Sequence, residues 1–182
     1  MLDEKTLLED SVEKVAFQKI PRKWHQYPGK NLKFLLDYIK ISGHNTATIS
    51  QACGLPPQPL RMQLQRDDMK LSKARRLIEG TGCNLEVVLY PQSLPGDDEN
   101  YIVVMPRRRV TSDKPAQMDF LKAFMKQTGQ SQYDLARKIG ITQGAVYAWF
   151  ATDDIMISYI NKIKDAYQAK LEFRITEKTT SE

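Results

Sequence analysis

The stretch SQYDLARKIGITQGAVYAWF, residues 131–150, decides how the chain folds. Leu135, Ala136 and Ile139 recur at helical spacing, which predicts a helix from Gln132 to Ile139 with Ser131 as its N-cap. Gly140 ends that helix, because a tight turn between two helices needs a left-handed backbone or a close approach. Thr142 then caps a second helix, from about Gln143 to Phe150, that turns Val146 and Trp149 inward. Ala136 is small enough to let the two helices cross closely, and the apolar set buries the crossing.

On the N-terminal side, Met118, Phe120, Leu121, Phe124 and Met125 mark a preceding helix that stops at Gly129. A further helix is predicted over 157–169, with Ile160, Ile163 and Ala166 inward, and LEFRITE (171–177) alternates as a strand. The same order occurs earlier. Residues 32–89 align without a gap on residues 118–175, at an offset of 86 positions. Phe34-Leu35 falls on Phe120-Leu121, Gly43 on Gly129, Gly54 on Gly140, Asp67-Asp68 on Asp153-Asp154, and Ser72 on Ser158. The first copy ends in its own strand, LEVVLYP (85–91). Its third helix opens on PPQP (56–59), which a first turn tolerates because those N–H groups have no helical acceptor. Gln63 stands where the second copy has Trp149.

With Leu135, Ala136, Ile139, Gly140, Ile141, Val146 and Trp149 in place, the second copy resembles the phage-repressor, or Cro-like (XRE-like), helix-turn-helix family. The resemblance covers its four helices, about one third of the chain, and the first copy matches less well. Ending in a strand is similar to the Cro subtype, whose terminal strand pairs across a dimer. The resemblance implies that the second motif helix lies in the major groove of double-stranded DNA. Gln143, Gly144 and Tyr147, with Thr142 at the cap, would then face base edges; a glutamine can pair bidentately with adenine. Gln132, Arg137 and Lys138 would contact phosphate. In the first copy the corresponding set is Gln58 and Arg61, with Gln65 and Arg66 further along the helix and Thr46 in place of Gln132.

Basic clusters precede each unit, Arg22-Lys23 and Arg107-Arg108-Arg109, and suit phosphate-binding or minor-groove arms. Lys70, Lys73, Arg75 and Arg76, on the fourth helix of the first unit, are expected to face solvent. Lys plus Arg total 27 against 22 Asp plus Glu, a small excess compatible with nucleic acid and not diagnostic of it. Cys53, Cys83, His25 and His44 form no metal-ligand spacing, so neither metal nor cofactor is expected, and both thiols read as reduced cytoplasmic cysteines. No signal peptide and no membrane span is expected. No nucleophile, phosphate loop or carboxylate pair suggests an enzyme, and aromatic platforms for RNA are lacking.

The expected fold is mainly α with a small β component: two four-helix Cro-like units, each followed by a strand. Residues 1–91 form the first, degenerate unit with an N-terminal extension, 92–100 a linker and 101–182 the second unit. LEVVLYP and LEFRITE, together with VAFQKI (15–20) and YIVVMP (101–106), are hypothesised to share one small antiparallel sheet. The expected function is sequence-specific DNA binding and transcription regulation, as an intramolecular pseudo-dimer or a homodimer with an asymmetric target. The alternative is an antitoxin-like or other protein-interaction module, with Leu2, Leu7, Leu8, Val12 and Val15 on a partner-binding helix.

Overall fold

Four helices and a strand follow one another twice in the computed structural model of the chain, which describes residues 27–91 and 116–178. The first set is α1 (Lys33–Ile41), α2 (Thr46–Ala52), α3 (Pro57–Arg66), α4 (Leu71–Glu79) and β1 (Cys83–Tyr90). The second is α5 (Asp119–Thr128), α6 (Gln132–Ile139), α7 (Gln143–Thr152), α8 (Ile157–Tyr167) and β2 (Lys170–Glu177). The N-terminal segment, the linker, Arg22-Lys23, Arg107-Arg108-Arg109 and the strands expected at 15–20 and 101–106 lie outside the described residues.

Local chemistry sets the boundaries. Asn45 caps α2 and Ser131 caps α6, each in a reciprocal box with the residue three positions on. Pro56 is the N-cap of α3 and Pro57 its first residue, so the prolines sit where a helix has no use for their missing N–H. Two expected ends move. α7 runs on to Thr152, where Asp153 turns left-handed, and α8 stops at Tyr167 instead of residue 169 because Gln168 does the same. Both strands begin before the expected residues, since each is defined by its partner: Cys83 lies opposite Glu177 and Tyr90 opposite Lys170.

β1 and β2 pair with each other, antiparallel, in a two-stranded sheet. In that register Val87 faces Phe173, and an isolated bridge joins Lys70 to Met156. Each of these pairs joins equivalent positions of the repeat, so a pseudo-twofold axis runs through both. Other contacts obey it. Leu71 N–H donates to Ile155 C=O at 2.8 Å, and Ile157 N–H to Met69 C=O at 2.9 Å. The interface is isologous, as in a symmetric dimer, but made within one chain.

The Asp pairs divide their work about that axis. The first member serves its own unit. Asp67 accepts from the N–H groups of Lys30, Asn31 and Leu32 at 2.7–3.0 Å, and Asp153 from those of Gln117 and Met118 at 2.8 and 3.1 Å. The second member crosses over. Asp154 takes the N–H and hydroxyl of Ser72 at 3.1 and 2.7 Å; Asp68 takes those of Ser158 at 3.0 and 2.6 Å. Neither α4 nor α8 has a side-chain cap of its own, so each is capped by the other unit.

One hydrophobic core runs through both units, from Leu35, Ile39, Ile49 and Leu60 past Leu85, Val87 and Leu89 to Leu121, Phe124, Leu135 and Val146. Phe34 stacks on Phe173 across the boundary, ring centroids 3.9 Å apart. Burying each such side chain stabilises by about 1.5–3 kcal/mol, whereas exposed ion pairs such as Arg174 with Glu172 are screened by solvent. Apolar burial therefore dominates the join, and the carboxylate caps orient it.

Arg75 departs from the expected solvent-facing position. It is only 8% exposed, because it follows Leu71 by four positions and precedes Ile78 by three, on the inward face of α4. Burial holds its pKa below the usual arginine value, offset in part by Glu79 and by Asp153, Asp119 and Asp154 of the other unit.

Candidate nucleic-acid interface

The second unit presents α6 and α7 as a rigid corner. Ser131 Oγ accepts from Asp134 N–H at 3.2 Å, and the Asp134 carboxylate accepts from Ser131 N–H at 3.0 Å. The Ser131 hydroxyl, followed by its N–H, holds the Asp134 carboxyl below the usual carboxylate range. Gly140 adopts φ 69°, and Ile141 N–H returns to Ala136 C=O at 3.0 Å to close the turn. Thr142 Oγ1 then accepts from Ala145 N–H at 3.3 Å and starts α7. Leu135, Ala136, Val146 and Trp149 are buried in the crossing. Trp149 lies against Tyr159, centroids 5.0 Å apart, which makes it a packing residue.

The opposite edge of this corner is open. Thr142, Gln143, Gly144, Tyr147 and Ala148 are exposed, Tyr147 at 66%, and Tyr133 on α6 is also exposed, at 57%. The first N–H groups of a helix have no intrahelical acceptor, so this edge also offers backbone donors at the positive end of the helix dipole. Gln132 is half-buried, whereas Arg137 and Lys138 are exposed at the end of α6. The Lys138 ammonium stands 4.8 Å from the Tyr167 ring centroid, a cation–π contact that draws it toward α8.

The equivalent edge of the first unit is open as well, with Gln58, Arg61, Gln65 and Arg66 exposed along α3. Arg61 Nε donates to Thr46 Oγ1 at 3.3 Å, which ties the guanidinium to the start of α2. At the crossing, buried Ser50 takes the place of Ala136, and its Oγ has no hydrogen-bond partner among the described residues. The two edges differ in charge. α3 carries Arg61 and Arg66, whereas α7, QGAVYAWFAT, carries no charged side chain.

A twofold rotation preserves height along its axis and direction along it. The pseudo-twofold therefore sets the α3 and α7 edges at one level, turned the same way along the axis. By the repeat offset Gln58 and Arg61 stand at the positions of Gly144 and Tyr147, Pro57 at that of Gln143, and Gln65 and Arg66 at those of Ala151 and Thr152; Arg107, Arg108 and Arg109 lie outside the described residues. Sequence reasoning misses the crossed caps and the burial of Arg75. Their signals are the Asp-Asp and Ser matches held in register through the repeat, and the helical position of Arg75.

Among the described residues no group of three or more His, Cys, Asp or Glu side chains is arranged to hold a metal ion, and no helix is long and apolar enough to cross a membrane. Comparison with protein-family models, with curated proteins and with solved structures found no match to this chain.

Proposed function

We propose that this chain binds double-stranded DNA in a sequence-dependent way, as an intramolecular pseudo-dimer that regulates transcription. The observation that carries this is the N-terminal edge of α7, which none of the described residues covers, with Gln143 and Tyr147 exposed on a corner locked by Ser131, Gly140 and Thr142. The matching edge of α3 supports it, because two reading helices related by a twofold axis suit half-sites about one helical turn, roughly 34 Å, apart. Covalent linkage makes the second contact intramolecular, at high effective concentration. Since the two edges differ in sequence, the target is asymmetric.

The test is a salt titration of the full chain on random duplex, followed by selection of bound sequences from a random pool. The expected result is binding that weakens steeply with salt, each neutralised phosphate adding about 0.9 to the logarithmic slope, and an asymmetric consensus. No binding at low salt would defeat the proposal, and a strict palindrome bound by one chain would defeat the asymmetry. One observation favours a protein-interaction module instead: α7 has no charged side chain, with Tyr147 exposed on it and Tyr133 exposed on α6. Absence of binding at low salt would favour that reading.

A further inference from the structure

We infer that the two outward corners differ in rigidity: the α2–α3 corner of the first unit opens locally while the α6–α7 corner of the second stays closed. The chain therefore presents one yielding edge, α3, and one fixed edge, α7. The inference goes beyond the DNA reading and holds whatever the edges bind.

Three supports of the second corner are missing from the first, each at the equivalent position of the repeat. Thr142 caps α7 through Ala145 N–H, whereas Pro56 stands in its place and gives α3 no side-chain cap. Ala136 fills the second crossing without a polar atom on its side chain. Ser50, 0% exposed in the first crossing, brings a hydroxyl whose Oγ has no hydrogen-bond partner among the described residues. Trp149 packs on Tyr159, whereas Gln63 and Lys73 hold those two places in the first unit. Gln63 Oε1 is buried there and has no partner among the described residues. A polar atom left unpaired in the closed corner is hydrogen-bonded by water once the corner opens, so each orphan favours opening.

What surrounds the two corners is alike, which confines the difference to them. Asn45 and Ser131 each start the first helix of the corner with a capping box, and Asp67 and Asp153 end the second with φ 52° and 49°. The crossed caps on Ser72 and Ser158 also match, at 2.6–3.1 Å. Two features run the other way. Leu64 is buried where Phe150 is half-buried, and Arg61 Nε donates to Thr46 Oγ1 at 3.3 Å. The first is set against the loss of Trp149, and the second joins an exposed guanidinium that water serves equally well, so neither replaces a pairing for Ser50 or Gln63.

Backbone hydrogen exchange of the full chain, without duplex, tests it. The amides of Arg61–Leu64 are compared with those of Tyr147–Phe150 at the equivalent positions, each rate taken relative to that of an unstructured chain. The first set is expected to be less protected by about tenfold or more. Ser50→Ala copies Ala136, and Gln63→Met keeps length and helix propensity while removing the orphan carbonyl. Each is expected to slow exchange in the first set by about threefold or more and to leave the second set unchanged. Equal protection of the two sets in the parent, or a first set that either substitution leaves unchanged, would overturn the inference. Failure to bind duplex would defeat the DNA proposal alone.

Discussion

Asp67 and Asp153 each hold a backbone that most residues avoid, φ 52° and 49°, at the place where a helix must end and the chain must turn back. Aspartate tolerates this region better than most non-glycine residues. Glycine would be easier on the backbone but could not accept the N–H groups of Lys30, Asn31 and Leu32. One side chain therefore ends α3 and fixes the chain entering α1. Asp67→Ala should cost about 3 kcal/mol, near the upper range for losing hydrogen bonds to a charged group, since the Leu32 donor is buried. Asp67→Asn keeps an acceptor and the left-handed tolerance and should cost clearly less. Urea midpoints of the two variants check this; equal losses would mean that the backbone, and not the carboxylate, sets the requirement.

At the scale of elements, α6 shows what is readable in the sequence and what is not. Its limits, Gln132 to Ile139, follow from Ser131 before it and Gly140 after it, because both signals are local chemistry. The pairing of β1 with β2 is anticipated by their matching places in the repeat, but alternation alone does not fix a register, and the structure supplies it, with Cys83 opposite Glu177. Arg75 escapes a sequence reading for a third reason, since its charge argues for solvent while its position places it in the apolar stripe of α4. The exposed set on α7 is legible because Val146 and Trp149 fix which face turns inward. The α6 cap also carries a pH dependence. Ser131 lowers the Asp134 pKa in the folded chain, so the folded form is favoured where Asp134 is ionised. That contribution is fully present above the unfolded value, about 4, and is lost as pH falls through the lower folded value. Stability measured against pH should show the gap between the parent and Asp134→Asn closing in acid. A gap that held constant down to that range would mean that the carboxylate charge is not what stabilises the cap.

For the whole molecule, the pseudo-twofold keeps two frames nearly alike while their outward edges diverge, and on the DNA-binding proposal this separates two tasks that a symmetric dimer must combine. α3 brings Arg61 and Arg66, whose charge acts on phosphate whatever the sequence. α7 has no charged side chain, so what it adds must come from hydrogen bonds and close contact: Gln143 to a base edge, Tyr147 beside it, and Gly144 allowing the backbone to approach. Covalent linkage permits this inequality, because neither unit has to hold DNA alone. Arg61→Ala should then weaken binding to all sequences alike and flatten the salt slope by about one. Gln143→Ala should leave the slope unchanged and relax preference at a single position in one half-site, a loss of roughly 1–3 kcal/mol of discrimination. Binding of the two variants to the selected site and to point-changed versions of it, across a salt series, distinguishes them. If Gln143→Ala lowered affinity equally for every sequence, α7 would be gripping the backbone and the proposed division between the units would fail.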